Sequence, residues 1–221
     1  MIREAQPGRH GSAAGRATPQ HTASPSISSM PSTPIQHDDH GYLMESRQQV
    51  RRAVEGLGDY ELRHPMTPTG TNLLGVVKHL VGIEAGYLGV CLGRPFAQPL
   101  PWIDDESRGP NRDMWASAEE SSAYLLDLYE QAGDHSDAVL AEVGLEAAAS
   151  VPWWPPSSRE TTAGALLSRV LKDTAMHAGQ LQILRELIDG RAGDDRRDAG
   201  DDRWWSDYTH QLELLALRYR R

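Results

Sequence analysis

One helix-length segment carries polar residues in the middle of an otherwise apolar stripe. Steps of four and three residues from Leu166 pick out Leu166, Val170, Asp173, His177, Gln180, Leu184 and Leu187. That spacing marks a helix packed against other helices. It commits the chain to a helical bundle that must accommodate a carboxylate and an imidazole one turn apart. Both carry a heavy desolvation cost unless something pairs with them. A metal ion is the natural partner.

The remaining pattern agrees with a bundle. Leu43, Val50, Val54 and Leu57 mark one face of a first helix that Gly56 and Gly58 help to end. Pro65, Pro68 and Gly70 make a loop of the segment from Glu61 to Gly70. A second helix is expected over about 71–92, with Asn72, Val76, His79, Ile83, Gly86 and Val90 on one stripe and Leu73, Val77, Leu80, Glu84, Tyr87 and Cys91 on the next. Two adjoining stripes suit a helix contacted on two sides. A Pro-, Asp- and Gly-rich connection over 93–117 follows, long enough to act as a lid or a substrate wall. A third helix is expected over about 118–145, and a loop with Trp153, Trp154, Pro155 and Pro156 leads to a fourth over about 162–189. Thr161 or Thr162 caps that helix and Gly190 ends it. The stretch 191–203 repeats Ala-Gly-Asp-Asp and reads as a solvated loop, since its spacing does not match an EF-hand. A last helix over about 204–220 presents Trp205, Tyr208, Leu212, Leu215 and Tyr219. No segment has a strand pattern. The fold class is therefore all-α: a bundle of four core helices with an additional C-terminal helix, spanning 41–221.

Residues 1–40 read as a disordered tail, dominated by Ser, Pro, Thr, Ala and His, with Met30 placed to be the true start of translation. His37, Asp38, Asp39 and His40 belong to that solvated tail. The net charge of −9 resides in the rest of the chain, because Arg3, Arg9 and Arg16 offset Glu4, Asp38 and Asp39 in the tail. This argues against a nucleic-acid partner. The single cysteine, Cys91, excludes an internal disulfide and suits a reducing compartment. No apolar run long enough to span a membrane and no signal-peptide pattern are recognised, so a cytoplasmic protein is expected.

Asp173 and His177 project from the same face of one helix and can chelate one ion. His79 sits at a stripe position between Val76 and Ile83 on another helix and supplies the third candidate. Two histidines and a carboxylate from facing helices make a common divalent site with open positions. Zinc is the first expectation; nickel, manganese and iron(II) also suit the donors. An open position can hold water, or a thiolate whose pKa the ion lowers.

The run Asp173-Thr-Ala-Met-His177-Ala-Gly-Gln180, followed by Leu184-Arg-Glu-Leu-Ile-Asp-Gly190, resembles the fourth-helix signature of DinB-like proteins. The stretch from Gly70 through His79 to Glu84 resembles their second-helix signature. The resemblance spans about 41–219 and is closest to the branch that includes the metal-binding domain of mycothiol-dependent maleylpyruvate isomerase. It implies an antiparallel four-helix bundle with a divalent ion near one end, His79 and His177 matching family ligands. Asp173 stands where the family has His or Glu, a departure that bears on affinity and metal preference. Gln180 stands where some relatives have a further histidine and is expected to orient a ligand or a bound water.

The resemblance implies a metal-dependent thiol S-transferase or isomerase. The ion would hold a low-molecular-weight thiol, mycothiol or a similar one, for attack on a small electrophile. The alternatives are a non-catalytic metal- or ligand-binding bundle of a stress response, and a metal hydrolase using bound water. Glu84 is expected either to hydrogen-bond a ligand histidine or to pair with a cation such as Arg185. His135 is a spare ligand or a half-exposed histidine. Cys91 is a nucleophile or a buried structural thiol, and the tryptophans at 102, 115, 153 and 154 wall the open end or cap the core. A homodimer through helix faces is compatible with the pattern.

Overall fold

A computed structural model describes residues 38–104, 109–190 and 200–220. The main helices are α1 (Asp39–Val54), a short α2 (Asp59–Arg63), α3 (Leu73–Ile83), a one-turn α4 (Pro101–Asp104), α5 (Ser122–Val143), α6 (Ala163–Asp189) and α7 (Asp202–Leu217). α3 continues without a break through a π-helical turn, Glu84–Gly89, into a 3-10 turn, Val90–Leu92. Local chemistry sets the boundaries. The side chains of Asp38, Asn72, Ser121, Thr162 and Asp201 accept the first free amides of α1, α3, α5, α6 and α7. Gly190, with φ of 73°, ends α6 in a left-handed conformation that a β-carbon would disfavour.

α1, α3, α5 and α6 form the expected antiparallel bundle, built from two parallel pairs. Asp39 meets Ser168 at one end, and the Ala53 carbonyl meets Arg185 at the other, so α1 and α6 run the same way. Lys78 pairs with Glu120 just before α5, and Gly89 lies against His135 within it, so α3 runs with α5. Arg47 of α1 bonds Asp137 of α5, and Arg51 bonds Glu130, which sets the two pairs antiparallel. Parallel neighbours cannot be joined by a tight turn. The connection from α3 to α5 must travel back along the bundle, which explains its length.

The interior is filled at one end by Leu74, Val77, Leu80 and Val81 of α3 against Leu125, Leu128, Ala178 and Leu181. At the other end Leu43, Leu88, Val139, Leu166, Leu167 and Val170 pack together. A buried ion pair crosses this core: both oxygens of Glu84 accept from Arg47, at 2.7 and 2.9 Å. Of the two roles expected of Glu84, the salt bridge between helices holds, with Arg47 as its partner, and the hydrogen bond to a ligand histidine does not. Glu84 lies roughly 140° around the helix from His79, at about 100° per residue, and faces α1 instead of the histidine. Arg185 is not its partner; that guanidinium donates to the last carbonyls of α1 and to Asp189.

Several other expectations change. Asp39 and His40 are the first residues of α1, not tail; Asp38 caps the helix and His40 bonds Asp137. The rest of the expected tail, including His37 and Met30, lies outside the described residues, as does most of the acidic repeat over 191–203. Strands do occur: Ala148–Ser150 (β1) pairs antiparallel with Glu160–Thr162 (β2). Each is three residues long, too short to display alternation. Contrary to the expectation that no apolar run is long enough to span a membrane, the 20 residues Leu73–Leu92 are, by length and composition, apolar enough to cross one. Here 15 of the 20 are buried within the bundle, as expected of the central helix of a helical core. α7, the expected extra helix, stacks Trp204 on Tyr208, and among the described residues almost all of its length is exposed.

Candidate metal centre

His79, Asp173 and His177 converge. One donor atom from each lies within 4.8 Å of the other two. His79 Nε2 is 3.4 Å from Asp173 Oδ2, and the two imidazole rings meet edge to face with centroids 5.0 Å apart. All three side chains are partly buried. The interior was expected to be drier. The fully buried face of α6 runs through Leu166, Val170, Thr174, Ala178, Leu181 and Arg185, and the stripe containing Asp173 and His177 follows one edge of it. By Leu187 that stripe is exposed. A strict seven-residue repeat drifts by roughly 20° per heptad on a straight helix, and the expected stripe drifted with it. The cluster thus sits on the rim of the core, where a ligand can reach it.

The outward nitrogen of each imidazole is already engaged. His79 Nδ1 donates to Asp113 Oδ2 at 2.7 Å, and His177 Nδ1 donates to Gln180 Oε1 at 2.9 Å. A carboxylate or amide oxygen can only accept, so the Nδ1 atoms carry the protons. This leaves Nε2 of each ring for the cluster. A carboxylate or amide behind a histidine is the usual outer support of a metal-bound imidazole.

Asp113 had no signal in the sequence. It lies on the returning connection, on a turn closed by Met114 N–H donating to Asn111 O. Asn111 adopts φ of 53°, a left-handed conformation that asparagine tolerates. Two α3 side chains hold that segment down. Asn72 Nδ2 donates to Met114 O at 3.1 Å, and the buried Lys78 Nζ donates to Trp115 O at 3.0 Å and to Glu120 at 2.8 Å. Arg112 donates to the carbonyls of Trp102 and Ile103. The connection is a pinned wall, and only the position of a carboxylate on it, far in sequence from His79, links it to the site.

The electrostatics favour a cation. Burial opposes charge on His79, but the Asp113 and Asp173 carboxylates outweigh it and push its pKa up from 6.5 to about 9. His79 in turn holds Asp173 and Asp113 below the usual carboxylate range. Asp173 Oδ2 is buried, and its one close partner among the described residues is the 3.4 Å ion pair with His79 Nε2. A buried carboxylate oxygen within reach of two imidazole nitrogens fits a divalent ion. Other candidates fall away: His135 bonds the Arg94 carbonyl and packs on Phe96, and burial pushes the Cys91 thiol up to about 11. Trp102 caps the core, whereas Trp115 and Trp153 are exposed.

Two cavities lie beside the cluster. One of about 320 Å³ is bounded by His79, Gly82, Trp102, Arg112 and Asp113. The other, about 620 Å³, shares Gly82, Ile83 and Ile103 with it and extends to Trp153.

Comparison with known proteins adds a family. The sequence pattern of the family described as Mycothiol-S-transferase matches residues 39–190, which includes all of the cluster, its two supporting residues and the pinned connection. No curated protein matches. Among solved structures, a conserved protein from Enterococcus faecalis is similar at 17% identity and a TM-score of 0.49, over 69% of this chain and 96% of that one.

Proposed function

We propose, because this chain belongs to the mycothiol-S-transferase family, a DinB-like metal-binding family, that it is a divalent-metal-dependent thiol S-transferase with His79, Asp173 and His177 as the ligands. The observation that carries this reading is the convergence of three donor atoms within 4.8 Å, with both imidazole Nδ1 atoms engaged from behind. Zinc is the ion we propose, since two imidazoles and one carboxylate suit it; nickel, manganese and iron(II) accept the same donors. A bound dication supplies the positive charge that brings a neighbouring thiol's pKa down toward neutrality.

The residues divide the remaining work. Asp113 and Gln180 fix the two rings so that Nε2 of each faces inward. Asp173 contributes the negative charge that keeps a dication in a half-buried place. The rim position and the adjoining cavities give two substrates room to meet. The thiol, mycothiol or one like it, loses its proton to solvent. Its sulfur then forms a bond to the electrophilic carbon, and the leaving group departs with the electron pair, or, in an addition, the neighbouring carbon takes up a proton.

The test is elemental analysis of the purified protein, followed by thiol and a chromogenic electrophile. Stoichiometric metal that His177→Ala loses, with thiol consumption that falls with it, is the expected result. A His177→Ala protein with full metal overturns the ligand assignment. Turnover without added thiol turns the reading into a hydrolase, and metal with no turnover leaves a binding bundle.

A further inference from the structure

From Asn72 to Leu92 every residue is buried except His79, Gly82, Ile83, Gly86 and Val90. These five form one strip along the central helix. At about 1.5 Å per residue the strip covers roughly 10 Å from His79 to Gly86. It begins at the donor cluster and becomes the floor of the 620 Å³ cavity. That volume lies in the range of small-molecule sites, about 300–1,000 Å³.

The walls are uniform in chemistry. Among the described residues, none that lines this cavity is ionisable at neutral pH; Phe96, Leu100, Ile103, Tyr87 and Trp153 dominate, with Gln98 as the one amide. Glycine keeps it open. A β-carbon on Gly86 would stand 3.5 Å from the Trp153 ring, and one on Gly82 would press on Ile103 at 3.0 Å. Tyr87 and Trp153 meet edge to face at 5.4 Å, forming an aromatic end wall. At the junction with the cluster, Trp102 Nε1–H is buried without a hydrogen-bond partner, 3.8 Å from where a Gly82 β-carbon would lie.

A phosphate or a carboxylate placed here would give up hydration and meet no cationic side chain among the residues that line the cavity. We propose that this groove is the electrophile site, and that it selects uncharged, flat, apolar molecules whose reactive carbon faces His79 and whose body lies along Gly82–Val90 toward Trp153. This rests on the reading that the cluster holds the thiol-activating ion; the thiol, being polar, enters from the Asp113 side.

The test compares two fluorescent probes on the full chain: neutral N-phenyl-1-naphthylamine and its sulfonated analogue 1-anilinonaphthalene-8-sulfonate. Val90, at 47% exposure, tolerates a larger side chain without entering the core. The neutral probe should bind; Trp153→Ala should weaken it about tenfold, as expected for losing one ring's worth of apolar contact, and Val90→Trp should weaken it by filling the groove with an added indole. Metal content should not change in either variant. With a thiol and an uncharged aromatic electrophile, both variants should raise the KM for the electrophile and leave the KM for the thiol alone. Equal binding of the two probes, or a neutral probe indifferent to both substitutions, overturns the groove assignment. His177→Ala separates the two readings: it tests the ion, and its loss of metal should leave neutral-probe binding intact.

Discussion

Asp113 Oδ2 stands 2.7 Å from His79 Nδ1, joining a residue of the central helix to one on the crossover that returns over it. This bond selects the His79 tautomer and aims Nε2 at Asp173 and His177. Loss of such an outer partner lowers metal affinity by roughly 10–100-fold in comparable sites. Asp113→Asn keeps the shape but removes the charge and should fall in that range by competition with a chelator. Asp113→Ala should fall further. Unchanged affinity in both would show that the ring is oriented by packing alone.

The same bond makes a pH prediction. Without an ion, His79 is protonated up to about 9, against an ordinary 6.5. A group whose folded-state pKa is raised stabilises the fold fully below the unfolded value and loses that contribution as pH climbs through the folded one. The melting temperature of metal-free protein should therefore drop between about pH 6.5 and 9, and His79→Gln should flatten the drop. Metal uptake must displace this proton, so binding at neutral pH should release close to one proton from His79, and apparent affinity should rise with pH up to about 9. Isothermal titration in buffers of different ionisation enthalpy reads that proton directly.

The bundle and the three converging side chains were legible because both depend on helical period. His79, Asp173 and His177 each occupy stripe positions, and the period alone brought them to facing helices. What the period could not supply was phase to better than a few tens of degrees. Leu187 was placed in the core and is exposed, and Gln180, on the same edge, is exposed as well. Asp113 was illegible for a different reason. Its role depends on a crossover whose path follows from α3 and α5 being parallel, and helix direction leaves no mark on a hydrophobic pattern. For Glu84 a salt bridge between helices was legible and its partner was not: the partner is Arg47 of α1, which the apolar stripe of that helix does not single out.

Arg47 and Glu84 should matter for stability and not for metal. Both are essentially excluded from solvent, and Arg47 also reaches Asp137 at 2.8 Å. Removing one member of such a pair leaves a buried charge and costs about 3–5 kcal/mol. Glu84→Ala should lower the denaturant midpoint accordingly. Replacing both, Arg47→Met with Glu84→Leu, should recover much of that loss, since an apolar pair needs no compensation. Metal content of whatever fraction folds should be unaltered throughout; a drop in metal at constant folded fraction would place Glu84 in the site after all.

Gly75 ties the scaffold to the site through one close approach. A β-carbon built there would sit 1.9 Å from the Met114 carbonyl oxygen, next to Asp113 in sequence. Backbone meets backbone at this point, so relief cannot come from a side chain turning away. Gly75→Ala must lift the crossover, weaken the Asn72 bond to Met114 and draw Asp113 off His79. Overpacking of this kind costs about 1–3 kcal/mol. Here it should also weaken metal binding, although Gly75 touches no ligand. Gly179 is the control: it is exposed on α6 with nothing near its missing β-carbon, two residues from His177. Gly179→Ala should raise stability by about 0.5–1 kcal/mol through helix propensity and leave affinity unchanged. Paired chelator titrations and urea melts on the two variants separate the outcomes. If Gly75→Ala loses stability while holding the ion as tightly as the parent, the crossover is a structural strap and not part of the metal centre.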